Sequence, residues 1–146
     1  MIGDGAPRGG DGPEDADSEG PTVPLDGDVL LYAGATASVA PGELGPLLRR
    51  VQAALGGRID RYRRAYECVA DDGARAVFLC PEGHWAELGA ELELTDKEAE
   101  AAERAHAQQL RRIGTEQGRR GELETALEIR EAVVIGRDGG AKAQEQ

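Results

Sequence analysis

Apolar residues recur at helical spacing through the first half of the chain. The clearest stripe has intervals of three and four residues and stops at a glycine pair, which predicts an amphipathic helix. It comprises Leu44, Leu47, Leu48, Val51, Ala54 and Leu55, followed by Gly56 and Gly57. Ile59, Tyr62 and Tyr66 continue this spacing and predict a short helix over 58–65. The apolar segment 28–37 has no clear period; we interpret it as a helix, while its small residues leave a strand open.

The apolar spacing shortens to two residues at Tyr66, which indicates a β-strand. A turn signal, Asp71–Gly73, separates this stretch from the β-favouring run 76–80, which ends before Pro81. The sequence therefore predicts a β-hairpin over 66–80. Two strands are marginally stable alone, so helices must cover one face of the hairpin.

The second half opens with a short predicted helix over 82–92. Thr95 and Glu98 then form a capping box, which predicts a helix that begins there and ends near Gly114. The last element has helical spacing at Leu123, Ala126, Leu127, Arg130 and Val134. Its β-branched run, 133–135, leaves a strand open at that point.

These elements predict an α+β fold that is mostly α, with about five helices and one β-hairpin. The order helix, helix, helix, hairpin in the first half also matches a winged-helix arrangement. Residues 1–27 hold four of the seven prolines and seven glycines, with almost no large apolar residue, which predicts a disordered acidic lead. Residues 28–136 then make a single globular domain, and 137–146 make a flexible tail.

The charge balance indicates the kind of solvent in which the chain works. The chain has 28 acidic and 17 basic residues, a net charge of −11, and only two of the basic residues are lysine. Acid excess with scarce lysine favours a salt-loaded cytoplasm, because salt screens the repulsion within such a surface. Genomic GC bias also enriches arginine, alanine and glycine, but it does not require the acids. The longest apolar run, 29–40, is too short to span a bilayer and no secretory signal is visible, so we expect a cytoplasmic location.

Arginine is concentrated in one segment. Residues 44–66 hold six arginines and one acid, whereas 1–28 and 82–103 each hold eight acids and one basic residue. Arginine suits phosphate and guanine contacts, which makes a winged-helix-like DNA binder the alternative function. Asp71 and Asp72 at the hairpin tip oppose it, because they repel phosphate. The DNA-binding hypothesis rests on Arg58, Arg61, Arg64 and Arg75.

The two cysteines flank the hairpin turn. We expect Cys68 to lie opposite Val77, a register that keeps Cys68 and Cys80 apart as free, reduced thiols. Together with His84 and His106 they leave gaps of 11, 3 and 21 residues, which lack the paired spacing of zinc modules. No metal site and no cofactor are predicted.

His84 and Trp85 are the remaining candidates for chemistry. They follow a strand, a proline and a glycine, a position where helix amides can meet an anion. We therefore regard them as a candidate interaction site or pocket. The simpler interpretation is that Trp85 anchors the helix and His84 caps it. An enzyme using His84 as an acid–base group is a second alternative, but no serine or cysteine nucleophile is paired with it. His106 lies on an apolar stripe and is expected to donate a hydrogen bond from a half-buried position.

Several phrases of the sequence carry a family resemblance. The run 66–80, PEGHW at 81–85, AHAQQLRRIG at 105–114 and ALEIREAVVIG at 126–136 resemble the small acidic uncharacterised proteins of halophilic archaea. The resemblance implies a cytosolic origin and assigns no activity. The leading interpretation is a non-enzymatic protein-interaction or regulatory module, in which the hairpin–Trp85 region or the alanine-lined helix meets a protein partner or a second copy.

Overall fold

The computed structural model describes residues 23–37 and 39–137. They form six α-helices and one three-stranded antiparallel sheet. The helices are α1 (Gly27–Thr36), α2 (Pro41–Leu55), α3 (Ile59–Ala65), α4 (His84–Glu91), α5 (Asp96–Glu116) and α6 (Arg120–Leu127), and the strands are β1 (Glu67–Asp71), β2 (Arg75–Pro81) and β3 (Arg130–Gly136). A 3-10 turn joins α2 directly to α3, so the helices make five separate segments. The predicted α+β, mostly α class is confirmed, and so are the first helix and the hairpin.

The sheet has the order β1–β2–β3, with β2 at its centre. Cys68 lies opposite Phe78, not Val77, so the predicted register is wrong by one residue. The pairing shifts again between Cys68 and Ala70, where one extra residue forms an irregularity of the bulge type. Both thiols are free, as predicted; Cys68 is exposed and Cys80 is buried.

The end of the chain folds differently from the main expectation. The helix that begins the last element stops at Leu127, and residues 130–136 form β3 against β2. Residues 132–135 of β3 are fully buried. Branched side chains fit a strand that is covered on both faces better than the last turns of a helix. The predicted two-stranded hairpin is therefore part of a three-stranded sheet.

Side chains of the helices cover the outer edge of β3. Gln52 of α2 donates from Nε2 to the Val134 carbonyl at 2.7 Å and accepts the Gly136 amide at 3.1 Å. His106 of α5 accepts the Val134 amide at Nδ1, at 2.9 Å. These bonds pair backbone groups that would otherwise be buried without partners, and they keep the edge from pairing with another strand.

The long helix α5 packs against α1, α2, α4, α6 and β3. Its alanine face, Ala101, Ala102 and Ala105, is buried within the chain, so the partner of the alanine-lined helix is internal. The predicted capping box is confirmed: the Thr95 hydroxyl accepts the Glu98 amide at 3.0 Å, and the Glu98 carboxylate accepts the Thr95 amide at 2.9 Å.

Helix α5 ends two residues later than predicted, at Glu116. Gly114 is not its terminal residue but a buried contact with α6. A Cβ on Gly114 would lie 3.0 Å from Leu123 Cδ1 and 3.3 Å from the Arg120 Cα. The glycine is therefore needed because α6 approaches the α5 backbone at this point.

Residues 23–27, at the end of the predicted lead, contact the domain. Leu25 is buried, and the Asp26 amide donates to Gln109 Oε1 at 2.7 Å. The Asp26 carboxylate also accepts from Gln109 and from Arg75. At the other end, Arg137 donates its amide to the Ala74 carbonyl at 2.8 Å. The rest of the predicted lead and tail, 1–22 and 138–146, lies outside the described residues.

Candidate functional site

Helices α3 and α4 enclose a cavity of about 160 Å³, which we call the α3–α4 cavity. Because β1 begins where β2 ends, the hairpin brings the end of α3 and the start of α4 to the same end of the sheet. The polar and aromatic side chains of the lining are Arg58, Arg61, Tyr62, Tyr66, His84, Glu87 and Glu91. The structure thus places two of the predicted DNA-binding arginines beside the predicted histidine.

A hydrogen bond between Tyr62 and His84 lies at the base of this cavity. The Tyr62 hydroxyl is 2.6 Å from His84 Nε2, and the two rings meet edge to face. Burial raises the pKa of Tyr62, so its hydroxyl stays protonated. Burial is also the main cause that lowers the pKa of His84, opposed by Glu131 and Glu87. A neutral imidazole beside a phenol can exchange a proton with a ligand; an enzymatic role for His84 stays a prediction.

The two arginines of the cavity differ in their partners. Arg58 forms a two-point ion pair with Glu91; Nη1 lies 3.2 Å from Oε1, and Nη2 contacts Oε2. This hydrogen bond is the main cause that lowers the pKa of Glu91. Arg61 is exposed, and its guanidinium makes no ion pair or hydrogen bond with any other residue that the structure describes. Arg61 is therefore the cation that the cavity offers to a ligand.

The other two predicted arginines lie outside the cavity lining. Arg64 is exposed on α3. Arg75 lies at the opposite end of the hairpin, where it donates to Asp26 Oδ1 at 3.1 Å and to the Pro24 carbonyl at 3.0 Å. Its side chain is only 15% exposed. Arg75 therefore fastens the segment before α1 to the sheet.

The first amides of α4 do meet an anion, and the anion belongs to the chain itself. Glu131 of β3 accepts the Gly83 amide and the Trp85 amide, each at 2.8 Å. A carboxylate at this position also complements the helix dipole. Glu131 was not among the residues predicted from the sequence, because its segment fits a helical stripe. The β-branched run 133–135 was the signal that could have identified β3 and its first residues.

Trp85 and His106 are internal. Trp85 is 1% exposed, donates its indole N–H to the Ala132 carbonyl at 2.9 Å, and packs edge to face on His106 with ring centroids 4.7 Å apart. Burial lowers the pKa of His106 to about 3, so the ring is neutral. The expected half-buried donor is thus a fully buried ring that accepts at Nδ1. Trp85 offers no surface to a partner.

Within 23–37 and 39–137, no three His, Cys, Asp or Glu side chains are grouped so as to hold a metal ion. No helix in those ranges has the length and apolar character needed to cross a membrane.

A second concave surface lies between α1 and α2, and we call it the α1–α2 groove. It has a volume of about 480 Å³ and uncharged walls that include Leu30, Leu31, Gly34, Ala35, Leu44 and Gly45. Leu31 is 78% exposed, and the adjacent Tyr32 is 55% exposed. The exposed apolar face of α1 had one signal in the sequence, namely that the apolar residues of segment 28–37 follow no helical period. Apolar residues lie around the circumference of α1, but its buried residues are Val29 and Ala33.

The glycines of α1 face open space. A Cβ on Gly27 would meet no atom within 4 Å, and one on Gly34 would meet only Leu44 Cδ2, at 3.9 Å. Internal packing therefore does not require these residues to be small. Their effect is to leave the helix backbone accessible along the groove.

Comparison with known proteins gives one match. Residues 23–137 match the model of a family described as a domain of unknown function (DUF8048). Neither a curated protein nor a solved structure matches the chain.

Proposed function

We propose that this chain, which belongs to the DUF8048 family of domains of unknown function, is a non-enzymatic protein-interaction module that docks a helix of another protein in the α1–α2 groove. The observation that carries the proposal is the 78% exposure of Leu31, which lines an uncharged apolar groove. Contiguous exposed apolar surface of this kind marks interaction sites.

The shape of the groove favours a helical segment as the occupant. Gly27 to Ala35 extends over roughly 12 Å of helix axis, which is about two turns. A partner helix can lay apolar side chains spaced by three and four residues along that length. The open faces of Gly27 and Gly34 let the two backbones approach closely.

Charge complementarity favours a basic outer face on the partner helix. The walls of the groove are uncharged, but the chain carries a net charge of −11, which favours a partner with cationic side chains at contact distance; concentrated salt screens any longer-range attraction. A second copy of the chain carries the same charge, so close contact between two copies is disfavoured. The proposed occupant is therefore an amphipathic helix with an apolar inner face and lysine or arginine on its outer face.

Fluorescence anisotropy with labelled synthetic peptides tests this proposal. One peptide is a basic amphipathic helix, a second is its scramble of identical composition, and a third has the same apolar face with an acidic outer face. The basic amphipathic peptide is expected to bind best. Leu31→Asp should weaken its binding about tenfold or more, because a leucine contact is lost and a charge enters the groove.

Ile129→Asp is the matched control. Ile129 is 65% exposed and lies outside the groove, so the variant adds the same charge at another exposed apolar residue. Equal binding of the scramble, or equal weakening by both variants, would overturn the proposal. If the chain alone dimerises in sedimentation experiments and Leu31→Asp makes it monomeric, a second copy is the occupant and the proposed partner is wrong.

The DNA-binding alternative is now supported by two residues. Arg61 and Arg64 are exposed on α3, whereas Arg58 and Arg75 are bound to carboxylates of the chain. A duplex-binding assay in molar KCl tests it. Sequence-dependent retention that is lost in an Arg61→Glu, Arg64→Glu double variant would favour this function, and no retention at any salt concentration would eliminate it.

We also propose that the chain works in the salt-loaded cytoplasm of a halophile. The acid excess supports this proposal, and so does the pairing of arginine with carboxylates over the surface, as in Arg104–Glu100, Arg120–Glu124 and Arg130–Glu67. Thermal melting of the chain in KCl solutions tests this proposal.

A further inference from the structure

We propose that the α3–α4 cavity binds a small organic monocarboxylate, with the Arg61 guanidinium holding the carboxylate and the aromatic wall contacting the rest of the molecule. The site is separate from the α1–α2 groove, and the proposal does not depend on the interaction function.

The first support is the state of Arg61. Its neighbours Arg58 and Arg63 are paired with Glu91 and Asp71. Arg61 has no such partner among the described residues, although the chain has a large excess of acids. A guanidinium at the mouth of a cavity presents a planar pair of donors that matches a carboxylate.

The second support is the size and the lining of the cavity. A volume of about 160 Å³ is comparable to the roughly 150 Å³ engineered cavity of another protein that holds benzene. Ala65, Tyr66 and Leu88 line it with apolar surface. The rings of Tyr66 and His84 meet edge to face, with centroids 5.3 Å apart. A single ring or a short aliphatic chain therefore fits beside Arg61.

The third support concerns the selection of the ligand. Glu87 and Glu91 also line the cavity, and Arg58 compensates Glu91. Glu87 offsets part of the attraction that Arg61 exerts on any anion, so a bound anion also needs apolar contact with the wall. A monocarboxylate has an apolar part for this contact, and inorganic phosphate has none. Inorganic phosphate is therefore expected to bind poorly.

His84 supplies a reporter for the bound anion. Its Nε2 is bonded to Tyr62, and its Nδ1 makes no hydrogen bond with any residue in the described ranges. A negative charge placed in the cavity favours the protonated ring, so ligand binding should raise the pKa of His84. A purely structural role for Arg61 would not produce this change.

NMR titration of the full chain at constant ionic strength tests the proposal, with benzoate, propionate and inorganic phosphate as probes. Benzoate or propionate is expected to shift the amides of α3 and α4 and to raise the pKa of His84. Arg61→Gln should weaken binding about tenfold or more, as expected for loss of a charge-assisted hydrogen bond. Arg64→Gln, on the same helix but outside the lining, removes the same charge and should leave binding unchanged.

Three outcomes would overturn the inference. The first is the absence of carboxylate-induced shifts in α3 and α4. The second is equal weakening by Arg61→Gln and Arg64→Gln, which would show binding to net charge alone. The third is phosphate binding as tight as that of the carboxylates, which would show that the apolar wall contributes nothing to binding.

Discussion

The buried ring of His106 makes the stability of the fold depend on pH. Its pKa is about 3 in the folded chain, against an ordinary value of 6.5. Below pH 6.5 the unfolded chain binds a proton that the folded chain does not bind. Stability from this group is therefore complete above pH 6.5 and falls with pH by about 1.4 kcal/mol per unit, down to the folded pKa. Between pH 7 and pH 5 the expected loss is about 2 kcal/mol.

Urea unfolding followed by Trp85 fluorescence at pH 7, 6 and 5 measures this loss in the native chain and in His106→Asn. Asparagine keeps an acceptor for the Val134 amide and does not titrate. Both chains retain His84 and the carboxylates, so those titrations cancel when the two free energies of unfolding are subtracted. The difference between the chains should change by about 2 kcal/mol over this range, with the native chain losing more.

Parallel stability curves of the two chains between pH 7 and pH 5 would contradict the expected loss of stability. That result would mean that His106 titrates alike in the folded and unfolded chains. His84→Asn provides the control. His84 is only half-buried, and the burial that lowers its pKa is opposed by Glu131 and Glu87. Its replacement should change the pH dependence less than that of His106.

Four further predictions concern packing and solvent. Gly34→Ala should stabilise the chain by about 1 kcal/mol in urea unfolding, because the Cβ meets only Leu44 at 3.9 Å and alanine favours the helix. Gly114→Ala should instead destabilise it by roughly 1–3 kcal/mol, because the Cβ lies 3.0 Å from Leu123 Cδ1; equal effects at the two sites would contradict the packing described. Gln52→Leu should cost roughly 1–3 kcal/mol, since two backbone groups of β3 lose their partner, and hydrogen exchange should quicken at Gly136. The melting temperature should rise from dilute buffer to molar KCl as repulsion among the acids is screened, and a cooperative melt of unchanged midpoint in salt-free water would refute the halophilic premise.

Elements whose signal is local could be predicted from the sequence. The apolar stripe of α2, the capping box at Thr95 and the turn at Asp71–Gly73 all depend on residues within about one or two turns of each other. The capping box and the turn formed where expected, and α2 covers the whole stripe although it begins earlier, at Pro41, because the chemistry that favours each element needs no distant contact. The pairing of Arg58 with Glu91 needed the hairpin geometry, since the two residues are 33 positions apart.

The features that the sequence did not predict correctly depend on contacts between residues that are far apart in the chain. Residues 130–136 fit a helical stripe, and only the free edge of β2 makes them a strand. Leu31 lies in an apolar segment, but its exposure depends on how α1 lies against α2 and α5.

The polar and aromatic residues of this fold differ in whether their hydrogen bonds are made within the chain. Gln52, His106 and Trp85 hold the edge of β3, and Arg75 holds the segment before α1. Replacing any of these residues should lower stability whatever the function is, so a loss of activity in such variants says little about a site. Arg61 and Leu31 are exposed in the folded domain and contribute little to holding it together. Variants at these two positions should therefore unfold like the native chain while losing carboxylate binding in one case and helix binding in the other, which makes them the informative probes of function.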